Sequence, residues 1–378
     1  MTLSRRRLVG NSLMLALSAS MAPLSLGAAA PDGGATDRLA LKVVRPAQAL
    51  FVAVARAGDR LVAVGEHGLV VLSDDGGRHW RQADVPASVT LTTVRFAGAR
   101  DGWAAGNQGV VLRTRDGGST WRKVLDGRQA AAVALRAAQA EAGANVQDAE
   151  RLVQDGPDKP FLSLATRPDG TLLALGAFGL AFASRDGGAS WTSLMGRLPN
   201  PDGFSLYGLA ERPGEQLLFG EQGLLLSASD ASAPFRKAGS PTEATLFGAL
   251  TLADGSALLM GLRGKVFRSA RPDDAWEPIQ TPIDASLFAG AQLKDGRVLL
   301  VGAAGQLLSS TDSGRSFRNV ALARRFPFSG IAVAPDGALV LAGARGLLRV
   351  ELAELDVAEA PEGVGVAQSA TAAQVSSR

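Results

Sequence analysis

Tyr207 is the only tyrosine of the chain and lies in FSLYGLAE, ahead of Glu211 and Glu221. A tyrosine nucleophile with a paired carboxylate and an arginine cluster would equip a glycoside hydrolase. The sister segments TLFGALTL and SLFAGAQL, however, put Phe247 and Phe288 at the same strand position. A residue that phenylalanine replaces from copy to copy reads as packing, and no carboxyl pair stands out from the repeat background. The two histidines, His67 and His79, sit in different surroundings without HExxH or facial-triad spacing, so no metal site is expected. The Asp-rich turns lack the alternating ligand spacing of an EF-hand. No phosphate loop or dinucleotide fingerprint stands between a strand and a helix. The absence of cysteine excludes thiolate chemistry and disulfides. The chain reads as noncatalytic, with no cofactor.

The remaining reactive-looking residues belong to a repeat. SDDGGRHW, TRDGGSTW and SRDGGASW carry Asp75 with Trp80, Asp116 with Trp121, and Asp186 with Trp191; the phrase decays later to Asp312 with Phe317. The aspartate is expected to pin a turn by accepting backbone N–H groups, a glycine to take positive φ, and the aromatic to pack against a neighbouring sheet. Ahead of each phrase stands a GxxG pair. These pairs start at Gly65, Gly106, Gly176, Gly220, Gly261, Gly302 and Gly343, at spacings of 41, 70, 44, 41, 41 and 41 residues. Seven units of about forty residues, each reading as four short strands bounded by Gly, Asp or Asn turns, predict an all-β, seven-bladed β-propeller of four-stranded antiparallel blades over 39–355. LALKVVRP at 39–46 is expected to supply the outer strand that blade seven lacks. The long spacing holds 127–160, where apolar residues recur at helical intervals (Ala131, Val133, Leu135, Ala138, Ala142, then Val146, Ala149, Val153) around an AGAN break. This predicts a helical insertion between blades two and three, with Val133, Leu135 and Val153 needing cover.

The chain begins as an exported protein does. Residues 1–29 carry Arg5, Arg6 and Arg7, an apolar stretch to about Leu26 and small residues before the expected cleavage point. Ser4-Arg5-Arg6-Arg7-Leu8 is similar to a twin-arginine signal, which leaves either export route open. Without the three leader arginines, the 36 remaining cations balance 36 anions, and a nucleic-acid partner has no support. Residues 356–378, rich in Ala, Ser and Gln, read as a flexible tail. The expected location is the periplasm or exterior.

The DGG-Trp phrase resembles the Asp-box of sialidases and BNR repeat proteins. Joined to the glycine pair ahead of each third strand, it is similar more closely to the photosystem II stability/assembly factor family of seven-bladed propellers, in its exported bacterial relatives. The resemblance covers about 39–355 and implies an accessory role in building or supporting a membrane complex, or, outside photosynthesis, a transport system. The implied partner is an envelope membrane protein or transporter complex, met peripherally. The Asp-box alone leaves a sialidase-like glycan hydrolase or a carbohydrate-binding propeller as alternatives. Binding residues are expected where the repeats diverge. Within the GxxG turns these are Glu66, His67, Asn107, Gln108, Phe178, Glu221, Gln222, Arg263 and Arg345. A second patch is Arg324, Arg325 and Phe326 at the entrance to blade seven, suited to a carboxylate beside aromatic area.

Overall fold

A computed structural model describes residues 34–140 and 146–359. The expected export signal, Ala142 and most of the expected tail lie outside the described residues. The rest forms seven antiparallel sheets in sequence order, six of four strands and the last of three, as a β-propeller. The first strands of successive blades pack side by side, and Phe51–Ala57 of blade one lies against Phe328–Val333 of blade seven, which closes the ring.

Each blade buries both faces against its neighbours. Its second strand is therefore continuously apolar rather than alternating, as in Leu172–Gly176 or Val298–Gly302, where every residue is buried. The first strand carries a bulge near its start in every blade, for example between Leu91 and Thr93 and between Leu206 and Gly208. The bulged residue reaches the next blade. Thr92 Oγ1 donates to Phe161 O at 2.7 Å, and Ser329 Oγ to Phe51 O at 3.1 Å.

The Asp-box closes the turn between the third and fourth strands. Asp116 Oδ1 accepts from Thr114 Oγ1 at 2.8 Å and from Thr120 N at 2.9 Å, and its Oδ2 accepts from Thr120 Oγ1 at 2.6 Å. Trp121 Nε1 donates to Gly118 O at 2.8 Å, so the indole folds over its own turn before packing into the core shared by blades one and two. Asp75 with Trp80 and Asp186 with Trp191 repeat the arrangement, and Asp312 repeats the aspartate contacts ahead of buried Phe317.

The carbonyls of these turns are met by arginines of the preceding blade. Arg60 reaches Gly117 O at 3.2 Å, Arg167 reaches Ala231 O at 2.8 Å, Arg212 reaches Ser269 O at 3.2 Å and Arg268 reaches Ser313 O at 2.9 Å. Arg113 meets Asp186 O at 3.5 Å. Across the closing junction, Arg349 of blade seven donates to Gly76 O of blade one, while Asp336 binds both Arg349 and Arg78, at 2.8 and 3.1 Å.

Residues 39–46 do not complete blade seven, contrary to the expectation from sequence. They run along the outside of blade one: Ala40 N donates to Val85 O at 2.9 Å, and Gln82 holds Val43 N and Leu41 O through its side-chain amide. After the third strand of blade seven, helix α3 (Leu352–Glu359) packs by Arg318–Val320 of blade six and buries Leu355 in the core shared by blades six and seven, while the short helix Pro46–Gln48 lies against Gly346–Val350 of blade seven.

The insertion forms helices α1 (Gly127–Ala140) and α2 (Val146–Asp155). Asp126 and Gln129 make a reciprocal capping box at the start of α1, each side chain taking the other's backbone N–H at 3.1 Å. Ala130, Ala131 and Ala134 are buried, and Val133 and Leu135 are half-buried. Val153, expected to be covered, is instead 44% exposed. The stripe of α2 that packs inward is Ala149 and Leu152, and one more residue turns about 100° away from it.

Two outcomes are expected. Arg349→Ala should lower unfolding free energy by about 1–3 kcal/mol, because Gly76 O and Asp336 lose a charged donor. Lys42→Ala, which removes only the exposed arm pair with Asp84, should cost less than about 1 kcal/mol; urea titration reads both. For Asp312, desolvation works upward, but the hydroxyls of Ser316 and Ser310 and nearby backbone amides outweigh it and hold its pKa at about 2. The unfolded chain takes up that proton first, near the ordinary value of about 3.9, so the stabilisation is complete above that value and is lost as pH falls toward 2. In thermal melts across that window, Asp312→Asn should show a shallower decline than the parent.

Candidate functional site

The strand order fixes two unlike ends. The Asp-box turns lie at one end with the turns joining first and second strands. The GxxG turns lie at the other, with the connections between blades. The helical insertion and Arg324-Arg325 both belong to such connections, so the two candidate surfaces share an end.

The glycines of GxxG hold their turn by lacking a side chain. A Cβ on Gly65 would collide with the Leu50 carbonyl, and Gly68, at φ 74°, has the Ala87 carbonyl where its Cβ would lie. The residue between them is forced into the left-handed region as well: φ is 51° at His67, 57° at Gln108, 56° at Phe178, 50° at Gln222 and 56° at Arg263. His67, Phe178, Gln222 and Arg263 are exposed and Gln108 is half-buried, while Asn107 and Arg345 are exposed beside their own turns. The turn therefore aims a side chain outward on each of these five blades at a backbone cost that glycine or asparagine would reduce.

Two acidic residues of this set serve the fold. Glu66 Oε1 accepts from Leu50 N at 3.4 Å and Glu221 Oε2 from Ser205 N at 3.0 Å, each holding the approach to an inner strand. Phe326, expected to offer contact area, is buried at 5% exposure against Phe328, with ring centroids 4.7 Å apart. Arg324 lies over the Phe326 ring at 6.0 Å, and it and Arg325 remain exposed.

Phe178 is the bulkiest of the outward side chains, 63% exposed. Lys159 Nζ stands 5.3 Å from its ring centroid and is held by Asp155 at 3.1 Å and Asp158 at 2.7 Å. Phe178 borders a groove of about 720 Å³ between the insertion and blade three, with Ala134, Ala138, Ala149, Leu152 and Met195 in its lining. The helical pattern located the insertion, but the pairing of Lys159 with Phe178 depends on a fold-back that periodicity does not encode.

Tyr207 packs edge-on against Phe247 at 5.1 Å, and Phe247 against Phe288 at 5.3 Å, an arc along the inner strands of blades four to six. Burial, then the charge of Glu221, pushes the phenol pKa up, which opposes the use of Tyr207 as a nucleophile. Glu211 lies at the far end of the same strand, its carboxyl pushed up by desolvation despite Arg95 and Arg167 nearby. The sequence reading missed this charged cluster because its members come from three blades. Among the described residues, no group of three or more His, Cys, Asp or Glu is placed to hold a metal ion.

No curated protein matches the chain by sequence. Among solved structures, YCF48 bound to D1 peptide matches with a TM-score of 0.59 at 19% identity, over 82% of this chain and 98% of that one. YCF48 from Cyanidioschyzon merolae gives 0.60 at 16%, over 82% and 97%. A streptogramin B lyase gives 0.63 at 13%, over 84% and 99%, so the ring by itself does not select between binding and catalysis. Residues 40–147 match the family model described as photosynthesis system II assembly factor YCF48. The resemblance read from the repeat is thus matched over blades one and two with helix α1, and the ring as a whole has the fold of the two YCF48 structures.

Proposed function

We propose that the chain is a noncatalytic, exported scaffold that binds a subunit of an envelope membrane complex, such as a transport system, through the end bearing the GxxG turns. The observation that carries this reading is the exposed Phe178 at φ 56°, the largest of five non-glycine residues held outward in left-handed turns at that end. Backbone strain on exposed side chains does nothing for the core and is in keeping with recognition. The structure of YCF48 bound to D1 peptide lends support by analogy, as a propeller of the same fold that binds a peptide. The half-buried Tyr207, its phenol pKa raised, favours binding over glycan hydrolysis. The leader at residues 1–29 supports export, and among the described residues no helix is long and apolar enough to cross a membrane. Export would place the ring in the periplasm or outside the cell, with the association peripheral.

The contact set is His67, Asn107, Gln108, Phe178, Gln222, Arg263, Arg345, Arg324 and Arg325, and their exposure varies from half-buried Gln108 to the open Phe178. Affinity capture from gently solubilised envelopes should return a stoichiometric membrane-complex partner. Arg324→Glu with Arg325→Glu, and separately Phe178→Asn, should weaken that capture at least about tenfold, the loss expected of a contact worth about 1.4 kcal/mol. Recovery of nonspecific abundant proteins alone, or unchanged capture by both variants, would count against the reading. Phe178→Asn should leave stability unchanged or raise it by up to about 1 kcal/mol, since asparagine tolerates the left-handed region; a thermal melt checks this.

A further inference from the structure

Among the described residues, eight large hydrophobic side chains are exposed, and five of them fall in the arm that precedes blade one: Leu39, Leu41, Val43, Val44 and Leu50. Leu39 is 73%, Leu41 55% and Val44 99% exposed, so these three side chains project from the surface, while Val43 and Leu50 are partly covered. The arm itself is fastened. Ala40 turns into the core of blades one and two, the backbone is tied to Val85 and Gln82, and Lys123 of blade two holds Thr36 O at 3.2 Å. Leu39, Leu41 and Val43 are interleaved with the cations Arg38 and Lys42, and Arg45 follows Val44. Lys42 is paired with Asp84 at 2.6 Å, while Arg38 and Arg45 are exposed and make no side-chain hydrogen bond or ion pair among the described residues.

We infer that residues 38–45 form a membrane-contact element that lays its aliphatic side chains into the surface of an anionic lipid bilayer. A convex row of aliphatics set among cations suits that interface. The apolar side chains leave water at the acyl boundary while guanidinium and ammonium groups stay with the headgroup phosphates. A protein pocket would have to wrap a protrusion, and the excess positive charge of Arg38 and Arg45 selects an anionic surface. The arm leads to Leu50, whose N–H is taken by Glu66 of the blade-one GxxG turn, so it belongs to the same end of the ring as the candidate contact residues. This inference is independent of the protein-binding reading, because its probe contains no protein partner.

Residues from Gly34 onward make a compact unit of their own, so a chain starting at Gly34 keeps the apolar leader out of the measurement. Co-sedimentation with vesicles of phosphatidylglycerol and phosphatidylcholine should show binding that weakens in high salt and is nearly absent on pure phosphatidylcholine. Leu41→Asp with Val44→Asp should reduce binding at least about tenfold, since a charge replaces each inserted aliphatic. Arg38→Glu with Arg45→Glu should reduce it several-fold, with thermal midpoints of both variants unchanged. Absence of vesicle binding by the parent, equal binding by the variants, or equal binding to neutral vesicles overturns the inference. Loss of partner capture by the arm variants without any vesicle binding assigns the arm to a protein and overturns it as well.

Discussion

Seven sheets that bury both faces meet at junctions where the carbonyls at the turn between third and fourth strands face the neighbouring blade. An arginine from the preceding blade answers them at six junctions, from Arg60 at the first to Arg349 at the closure. The remaining junction, from blade six to blade seven, has no such turn to meet because blade seven lacks a fourth strand. Hydrogen bonds from a partly buried guanidinium are among the stronger ones a protein makes, and here they tie neighbouring blades together at six junctions. In five of the turns an aspartate organises the backbone: Asp75, Asp116, Asp186, Asp230 and Asp312. By gathering backbone amides and hydroxyls on its own carboxylate, each of these holds the turn whose carbonyl meets the arginine.

That commitment divides the ring. At the Asp-box end, aspartates, hydroxyls and arginines are engaged, and Asp75 and Asp186 are held well below the ordinary carboxylate range, Asp75 first by the His79 backbone N–H and Asp186 first by the Ser190 hydroxyl, with burial pulling the other way. At the GxxG end the glycines carry the structural demand, since Gly65 and Gly68 admit no Cβ. The residues between them differ from blade to blade: histidine, glutamine, phenylalanine and arginine all appear in one backbone conformation. Variation at constant geometry is what a binding surface built on a repeated scaffold would need. The two helices of the insertion and the fastened arm enlarge the same end.

The ring was legible in the sequence because glycine spacing is set by local backbone demands that recur in every unit. Asp116 and Trp121 read correctly as parts of one turn for the same reason, their partners being four residues away or fewer. What the sequence hid was the choice between solutions of equal local merit. An unpaired edge on blade seven called for cover, and 39–46 had the composition of a strand, yet the arm takes the outside of blade one and meets blade seven's third strand through the short helix Pro46–Gln48 at its end. Phe326 looked like contact area beside two arginines, but its spacing from Phe328 places both rings in the core. The arginine clamps join residues up to 273 positions apart, and nothing in the arginines' immediate neighbours announces them.

The division of labour between the two ends is tested most directly by hydrogen–deuterium exchange of the chain, alone and with its captured partner. Protection on binding is expected at the GxxG turns around His67, Gln108, Phe178, Gln222 and Arg263 and in the connection at Arg324 and Arg325, with the Asp-box turns unchanged. Protection centred on the Asp-box turns around Asp75, Asp116 and Asp186, with the GxxG turns unaffected, would contradict it.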